Sequence, residues 1–304
     1  MPQDKRDEIF IPSLMPGSSL YHYTSAEGLA GISQGEFWVT ESNFLNDPSE
    51  FSLGATTVID VIKAHVRSCK QRDRLISKLM KEMQRLRKMA ELDDSFAFAG
   101  DYVISFCLEQ DNELLWAKYS GFQGYCLGFS FDELEKSFQN GYISWNGKVV
   151  YDPNEQVGLI EKALANDLFA CNGFEYLTDW NSIPTITNEQ TDEVANYLCA
   201  LCDLFGMFFK KECFAGEKEY RFVFSHIHDK GRIRPEERTP LHFRICNGVL
   251  TPFVKMQFDA SRSLESVLIG PRNTSDIAVK GLEYFFRNLG MTVKLSKSSI
   301  PLRY

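Results

Sequence analysis

Three short stretches of the chain hold residue types suited to chemistry. The first is Leu20-Tyr21-His22-Tyr23-Thr24-Ser25. Side chains alternate along a strand, so His22 and Thr24 share one face while Tyr21 and Tyr23 share the other. An imidazole beside a hydroxyl could hydrogen-bond a ligand's hydroxyl and amide groups. A His and Thr satisfied inside an ordinary sheet give the same pattern. The second stretch is Gly216-Glu217-Lys218-Glu219-Tyr220-Arg221, entering an apolar run. A period of two lines up Glu217, Glu219 and Arg221 on one face. Two carboxylates there could stabilise a developing cation and accept a proton, with Arg221 holding them ionised. A solvated strand face with an ion pair would look alike. The third is Leu114-Leu115-Trp116-Ala117-Lys118-Tyr119, where Trp116 and Tyr119 stand one helical turn apart. Aromatic residues at that spacing more often pack a core than a ligand.

Metal chemistry finds weaker support. Cys199 and Cys202 form a CxxC inside a helical pattern, with Cys213 and then His226 and His228 further on. No second Cys pair stands at zinc-site spacing, and two small buried residues explain a mid-helix CxxC. No metal is expected. The chain has no Walker loop, GxGxxG, GxSxG or HExxH motif, so the corresponding enzyme classes lack their signatures.

These residues need elements to position them. The pattern predicts strands at 20–23, 37–40, 102–107, 125–129, 217–225, 250–258, 266–269 and 291–295. Helices are predicted at 25–34, 52–93, 113–119, 192–210 and 276–288. Within 52–93, Leu75, Ile76, Leu79, Met80, Met83 and Leu86 recur at three- and four-residue spacing on one helix face. Strands and helices mix without regular βαβ spacing, which places the chain in the α+β class. A single domain over 1–304 is expected, with 52–93 as a basic helical insertion.

The 304 residues carry 33 Lys and Arg against 41 Asp and Glu, a net charge of −8. With 44% hydrophobic and 24% charged residues, the composition is that of an ordinary globular chain and excludes wholesale disorder or coiled coil. The charge is unevenly spread. Between Lys63 and Lys88, ten Lys or Arg meet only Asp73 and Glu82, a local +8 that leaves −16 for the rest. Such a run usually forms the wet side of an amphipathic helix, and it could also steer a phosphate-bearing partner. No apolar run is long enough to span a bilayer, no signal-like N-terminus is present, and eight irregularly spaced cysteines suit a reduced, cytoplasmic setting.

Taken in order, the motifs resemble a known family. Leu20 to Ser25, Gly28-Leu29, Ile32, Gly35 and Phe37-Trp38-Val39-Thr40 look like its opening. Leu45-Asn46-Asp47-Pro48-Ser49-Glu50, Ser105-Phe106, Leu114 to Tyr119 and Gly124-Tyr125-Cys126-Leu127-Gly128-Phe129 follow. Glu217 to Arg221, Gly270-Pro271 and a closing Ser298 to Arg303 complete the match. The family is the bacterial "domain of unknown function 2971", and its opening is similar to that of ADP-ribosyltransferases of the nucleic-acid-modifying toxin type. This resemblance implies split mixed or antiparallel sheets with flanking helices, and NAD as co-substrate. It implies that His22, Tyr23, Thr24, Asn46, Trp116, Tyr119 and Arg221 contact NAD, with Tyr119 or Trp116 stacking on nicotinamide. Glu219 would be the catalytic carboxylate, assisted by Glu217 and His22. The activity expected is ADP-ribosyl transfer to a nucleic-acid or protein acceptor, as a toxin or anti-phage defence effector, with the 63–88 segment as a possible acceptor contact. The competing expectation is a non-catalytic module of the same fold that senses a nucleotide or a phage protein.

Overall fold

The computed structural model describes residues 11–45, 50–92, 101–139, 143–169, 174–224, 240–246, 248–273 and 275–302. The first half of the chain forms β1 (Ser19–Thr24), α1 (Ala26–Ile32), β2 (Glu36–Glu41), α2 (Glu50–His65), α3 (Lys70–Leu92), β3 (Tyr102–Cys107), α4 (Glu113–Ser120), β4 (Tyr125–Ser130), α5 (Phe131–Gln139) and β5 (Ile143–Lys148). The second half forms α6 (Pro153–Ala163), α7 (Asn188–Phe208), β6 (Glu219–Phe224), β7 (Leu241–Cys246), β8 (Val249–Gln257), α8 (Ala260–Ser263), β9 (Leu264–Ile269), α9 (Asp276–Asn288) and β10 (Lys294–Lys297). The chain divides into two compact units. A sheet unit takes 13–44, 99–148 and 216–304, and a helical unit takes 1–12, 45–98 and 149–215. The helical part is therefore larger than the 52–93 insertion expected, because α6 and α7 belong to it.

In the sheet unit the strands run β10-β9-β4-β1-β3-β2-β8-β7, with β6 on the remaining edge of β3 and β5 beside β6. Among the described strands only β9 and β10 pair in parallel, so the sheet is mixed. Its central feature is a fork. On one edge β3 runs its whole length against β6, from Tyr102↔Phe224 to Cys107↔Glu219. On the other edge it is shared: β1 joins at Tyr21↔Cys107, and β2 joins at Thr40↔Val103 and Glu41↔Tyr102. Residues 104–106 have no register partner on that edge among the described residues.

Each face of the sheet has its own core. Phe37, Phe106, Phe129, Phe222 and Phe224 pack with Phe138 of α5 and Phe286 of α9, all nearly inaccessible to water. Rings of this size each stabilise the fold by ~2 kcal/mol when buried. The opposite face holds a smaller cluster in which Leu115 and Trp116 of α4 meet Tyr23, Cys107, Cys126 and Leu268.

The helical unit packs Val58, Ile62, Leu75, Leu79, Ile160, Leu198 and Phe205 into one apolar core. Gly54 lets α2 reach α7 closely, since a methyl there would lie 2.6 Å from the Gly206 nitrogen. The continuous helix expected over 52–93 breaks between His65 and Lys70. Arg72 closes the gap: its guanidinium reaches the Val66 carbonyl (3.4 Å) and the Ser68 hydroxyl (3.0 Å). Further departures are local. β6 starts at Glu219 rather than 217, and β10 starts later than expected. The strands β5 and β7 and the helices α5 and α6 were not evident from periodicity.

Two motif glycines give opposite predictions. At Gly124 a methyl would fall 2.2 Å from the Thr24 backbone carbonyl, whereas at Gly28 it would meet the Thr24 hydroxyl at 1.9 Å. The hydroxyl can rotate away, but the carbonyl belongs to β1 and cannot. In urea unfolding, Gly124→Ala should therefore cost more than ~2 kcal/mol and Gly28→Ala less than ~1 kcal/mol. Equal costs would show that the backbone approach at Gly124 does not constrain β1.

Candidate functional site on the α4 side of the sheet

The register decides which residues can meet. Tyr21 pairs with Cys107, and Cys107 pairs with Glu219, so these three share a face. Ser105 and Arg221, paired with each other, lie on that same face by alternation. His22 points the other way. Its ring packs edge-on against Phe37 and Phe106, both at 5.6 Å, within the aromatic core. The sheet thus separates His22 from Glu219, which the resemblance would place at one substrate.

His22 fills the fork instead. Its Nδ1 donates to the Ser105 carbonyl at 3.2 Å, in the gap where β1 and β2 part from β3. Burial holds its pKa down to about 4, with the Ser105 hydrogen bond opposing and the nearby Arg244 cation adding to the fall. The imidazole is therefore neutral at neutral pH, with the proton on Nδ1. Arg244 is steadied by a bond to the Thr40 hydroxyl at 2.7 Å, and burial lowers its own pKa. Glu41 accepts from the Asn43 amide nitrogen (3.1 Å) and side-chain nitrogen (2.7 Å). Burial nonetheless raises the Glu41 pKa to about 7, helped by the Asp101 charge.

Several expected ligand contacts are committed to the fold. Trp116 is fully buried, edge-on to Tyr23 at 4.9 Å, and its indole nitrogen donates to Asp111 at 2.7 Å. Asp111 also accepts from the Ser298 hydroxyl (2.7 Å) and the Ser299 nitrogen (2.8 Å). That gives the closing Ser-x-Ile-Pro stretch a structural purpose. Burial would raise the Asp111 pKa, but these donors outweigh it and the carboxyl is held below its ordinary value. Tyr23 is buried, with its hydroxyl donating to the Glu109 carbonyl (3.0 Å) and accepting from the Asn112 nitrogen (2.8 Å). Trp116 and Tyr23 therefore present no free ring to a ligand. Thr24 packs its hydroxyl over Gly28 in the first turn of α1. Asn46 lies outside the described residues, as do His226 and His228 of the metal reading. Cys202 is buried in α7.

What remains is a charged cluster on the α4 side. Arg221 Nε donates to Glu219 Oε2 at 2.8 Å, and both residues are almost wholly buried. Glu217 departs from the expected alternation because it ends a short 3-10 turn, Glu212–Glu217, and Lys218 follows with φ of 45°. A left-handed lysine costs of order 1 kcal/mol. It is offset by Leu108 N–H donating to the Lys218 carbonyl and by the ion pair of Lys218 with Glu109. The kink turns the buried Glu217 carboxylate to Lys118 of α4. Tyr119, next along α4, is 48% exposed, with the Lys118 ammonium 5.3 Å from its ring centre. Asn112 caps α4 by accepting from Leu115 N–H, and its amide also donates to the Gly216 carbonyl. Lys118 was missed as a site residue because an i+2 neighbour of Trp116 reads as a surface helix position. Only the kink at Lys218 brings it to Glu217.

The fork has a measurable acid–base signature. An unfolded His takes up a proton near 6.5 and native His22 only near 4, so this residue removes stability as pH falls from 6.5 to 4. Glu41 acts in reverse: with its native pKa near 7 against 4.5, stability is lost as pH rises from 4.5 through 7. His22→Asn, which keeps a donor toward Ser105, should flatten the acid limb of urea midpoint against pH. Glu41→Gln should remove the loss toward pH 7. Unchanged profiles would contradict both assignments.

No curated protein and no solved structure matches the chain. Among the described residues, no group of three or more His, Cys, Asp or Glu is arranged to hold a metal ion, and no helix is long and apolar enough to cross a membrane. Residues 115–222, which run from α4 to β6 and include the Glu217–Arg221 motif, match the family model described as protein of unknown function (DUF2971). That family is the one the chain's motifs resemble, and the matched stretch is about a third of the chain.

Proposed function

We propose that the protein is an NAD-dependent ADP-ribosyltransferase whose working face is the α4 side of the sheet. One observation carries this reading: Glu219, Arg221, Glu217, Lys118 and the open ring of Tyr119 gather on the side that also presents Tyr21 and Ser105. Such transfer needs a cation stabiliser, ribose contacts and positioning more than covalent help from the protein. As the bond from ribose C1′ to nicotinamide nitrogen breaks, its electron pair leaves with neutral nicotinamide and C1′ gains oxocarbenium character. Glu219, fixed by Arg221, supplies the negative charge that this carbon needs. An acceptor oxygen or nitrogen then bonds to C1′, and Glu217 takes its proton. Tyr119 stacks on the nicotinamide, and Lys118 sets the position of Glu217. The role carried over for His22 changes from NAD contact to positioning residue: it fixes β1 against β3, and so fixes Tyr21.

The assay is release of nicotinamide from NAD, with adenine-labelled NAD reporting transfer. Glu219→Gln, which still accepts from Arg221, should lower release by ~100-fold or more while thermal unfolding stays cooperative. Glu217→Gln should lower transfer more than release. Release that ignores Glu219, or a wild-type protein that releases none, would overturn the reading. The depth of the Glu219–Arg221 pair favours one second reading, a sensing module in which the pair is structural. In that case Glu219→Gln keeps both NAD binding and the cellular phenotype.

A further inference from the structure

The helical unit carries the basic run, and two groups stand out among its described side chains. Arg74 and Lys78 are spent within the fold, both reaching Asp192 of α7 at 2.8 and 3.3 Å. The second group surrounds a groove of about 430 Å³ between α2 and α3. Lys63 stands on the α2 side, while Arg72, Ser77, Lys81 and Gln84 follow along α3. The floor is apolar, formed by Ile76 and the half-exposed Met80. Asp73 is the acid at the rim, and Arg72 already holds it at 2.7 Å. Lys63 is 52% exposed and reaches Asp60 only at 3.7 Å, a contact of little energy. Arg67, on the link between the helices, and Lys70, at the start of α3, are exposed.

A merely wet helix face would intersperse acids among its bases. Among the described side chains, the one acid lining the groove, Asp73, is already held by Arg72, while Lys81 has no ion pair and Lys63 only the long one to Asp60. We propose that this groove binds the phosphate backbone of a nucleic acid. From Arg72 to Gln84 the groove runs ~18 Å along α3, enough to meet several consecutive phosphates. Lys63 and Lys81 neutralise them, Ser77 and Gln84 donate hydrogen bonds to their oxygens, and Ile76 and Met80 cover the sugars. Every polar contact is of the kind that positions a backbone rather than reads a base, so binding is insensitive to sequence. This site stands apart from the proposed NAD chemistry and does not depend on it.

The experiment is fluorescence anisotropy with 20-nucleotide single-stranded DNA and RNA at 50–200 mM salt. The wild-type protein should bind oligonucleotides of different sequence alike. The logarithm of its affinity should fall against the logarithm of salt with a slope of roughly −1.4, the value for about two phosphates on a single strand. Lys63→Glu with Lys81→Glu should weaken binding at least tenfold with unfolding unchanged. Lys294→Glu with Lys297→Glu, the same charge change placed on β10, should leave it within twofold. No saturable binding at 50 mM salt would overturn the proposal. So would equal losses in the two double variants, or binding to phosphatidylserine vesicles without binding to either oligonucleotide. Nicotinamide release is measured alongside, so the two proposals stand or fall separately.

Discussion

The sheet unit depends on how one strand edge is shared. β3 offers a single edge to two strands that diverge, and three of its residues are left without a ladder partner there. A backbone carbonyl in such a gap needs a donor, because an unpaired buried polar group costs as much as a lost hydrogen bond. His22 provides it from β1 at Ser105, while its ring fills the apolar gap between Phe37 and Phe106. One side chain therefore satisfies the backbone and the packing of the fork together. A charged imidazole would still donate to Ser105 but would be costly among the apolar rings, which is why burial keeps it neutral.

From that fork the rest of the sheet unit follows. With β1 fixed at Tyr21↔Cys107, Gly124 closes on the end of β1, Gly270 closes on the backbone of 122–124, and α4 lies over the face opposite the aromatic core. Asp111 and Asn112 fasten the start of α4 to the closing stretch of the chain and to the turn before β6. The kink at Lys218 then becomes useful: it delivers two carboxylates from one short segment to different partners, Glu217 to Lys118 and Glu219 to Arg221. A buried ion pair such as Glu219–Arg221 is a costly way to build mere stability, since apolar residues of equal volume often serve as well. That pair, with Glu217 held by Lys118 next to the half-exposed Tyr119, is why the proposed chemistry is assigned to this face.

Much of this was legible in the residues. The strands expected at 20–23, 102–107 and 250–258 and the helices expected at 192–210 and 276–288 formed close to where the residue pattern pointed. The acid–acid–arginine grouping was visible too, and its ion pair was expected. Other features depended on long-range geometry. Strand alternation correctly puts His22 opposite Tyr21, but only the register of β1 on β3 and β3 on β6 shows that Glu219 sides with Tyr21. The kink at Lys218 hid Glu217's departure from the strand, because a lysine gives no hint of a left-handed backbone. Trp116 and Tyr119 look equivalent in sequence, yet one turn of a short helix on a sheet face buries the first and exposes the second. The helical unit escaped for a similar reason: α6 and α7 join α2 and α3 from distant parts of the chain.

The two units carry separate features, a sheet unit with paired carboxylates on the α4 side and a helical unit, acidic as a whole, with a locally basic groove. The claim on which the functional account rests is that the α4 side, not the His22 side, receives NAD. A crystal structure with a non-hydrolysable NAD analogue tests this directly. The account predicts the nicotinamide ribose beside Glu219, with Tyr119 stacked on the nicotinamide and His22 still bonded to Ser105. An analogue lodged on the aromatic-core side against His22, with Glu219 untouched across the sheet, would contradict it.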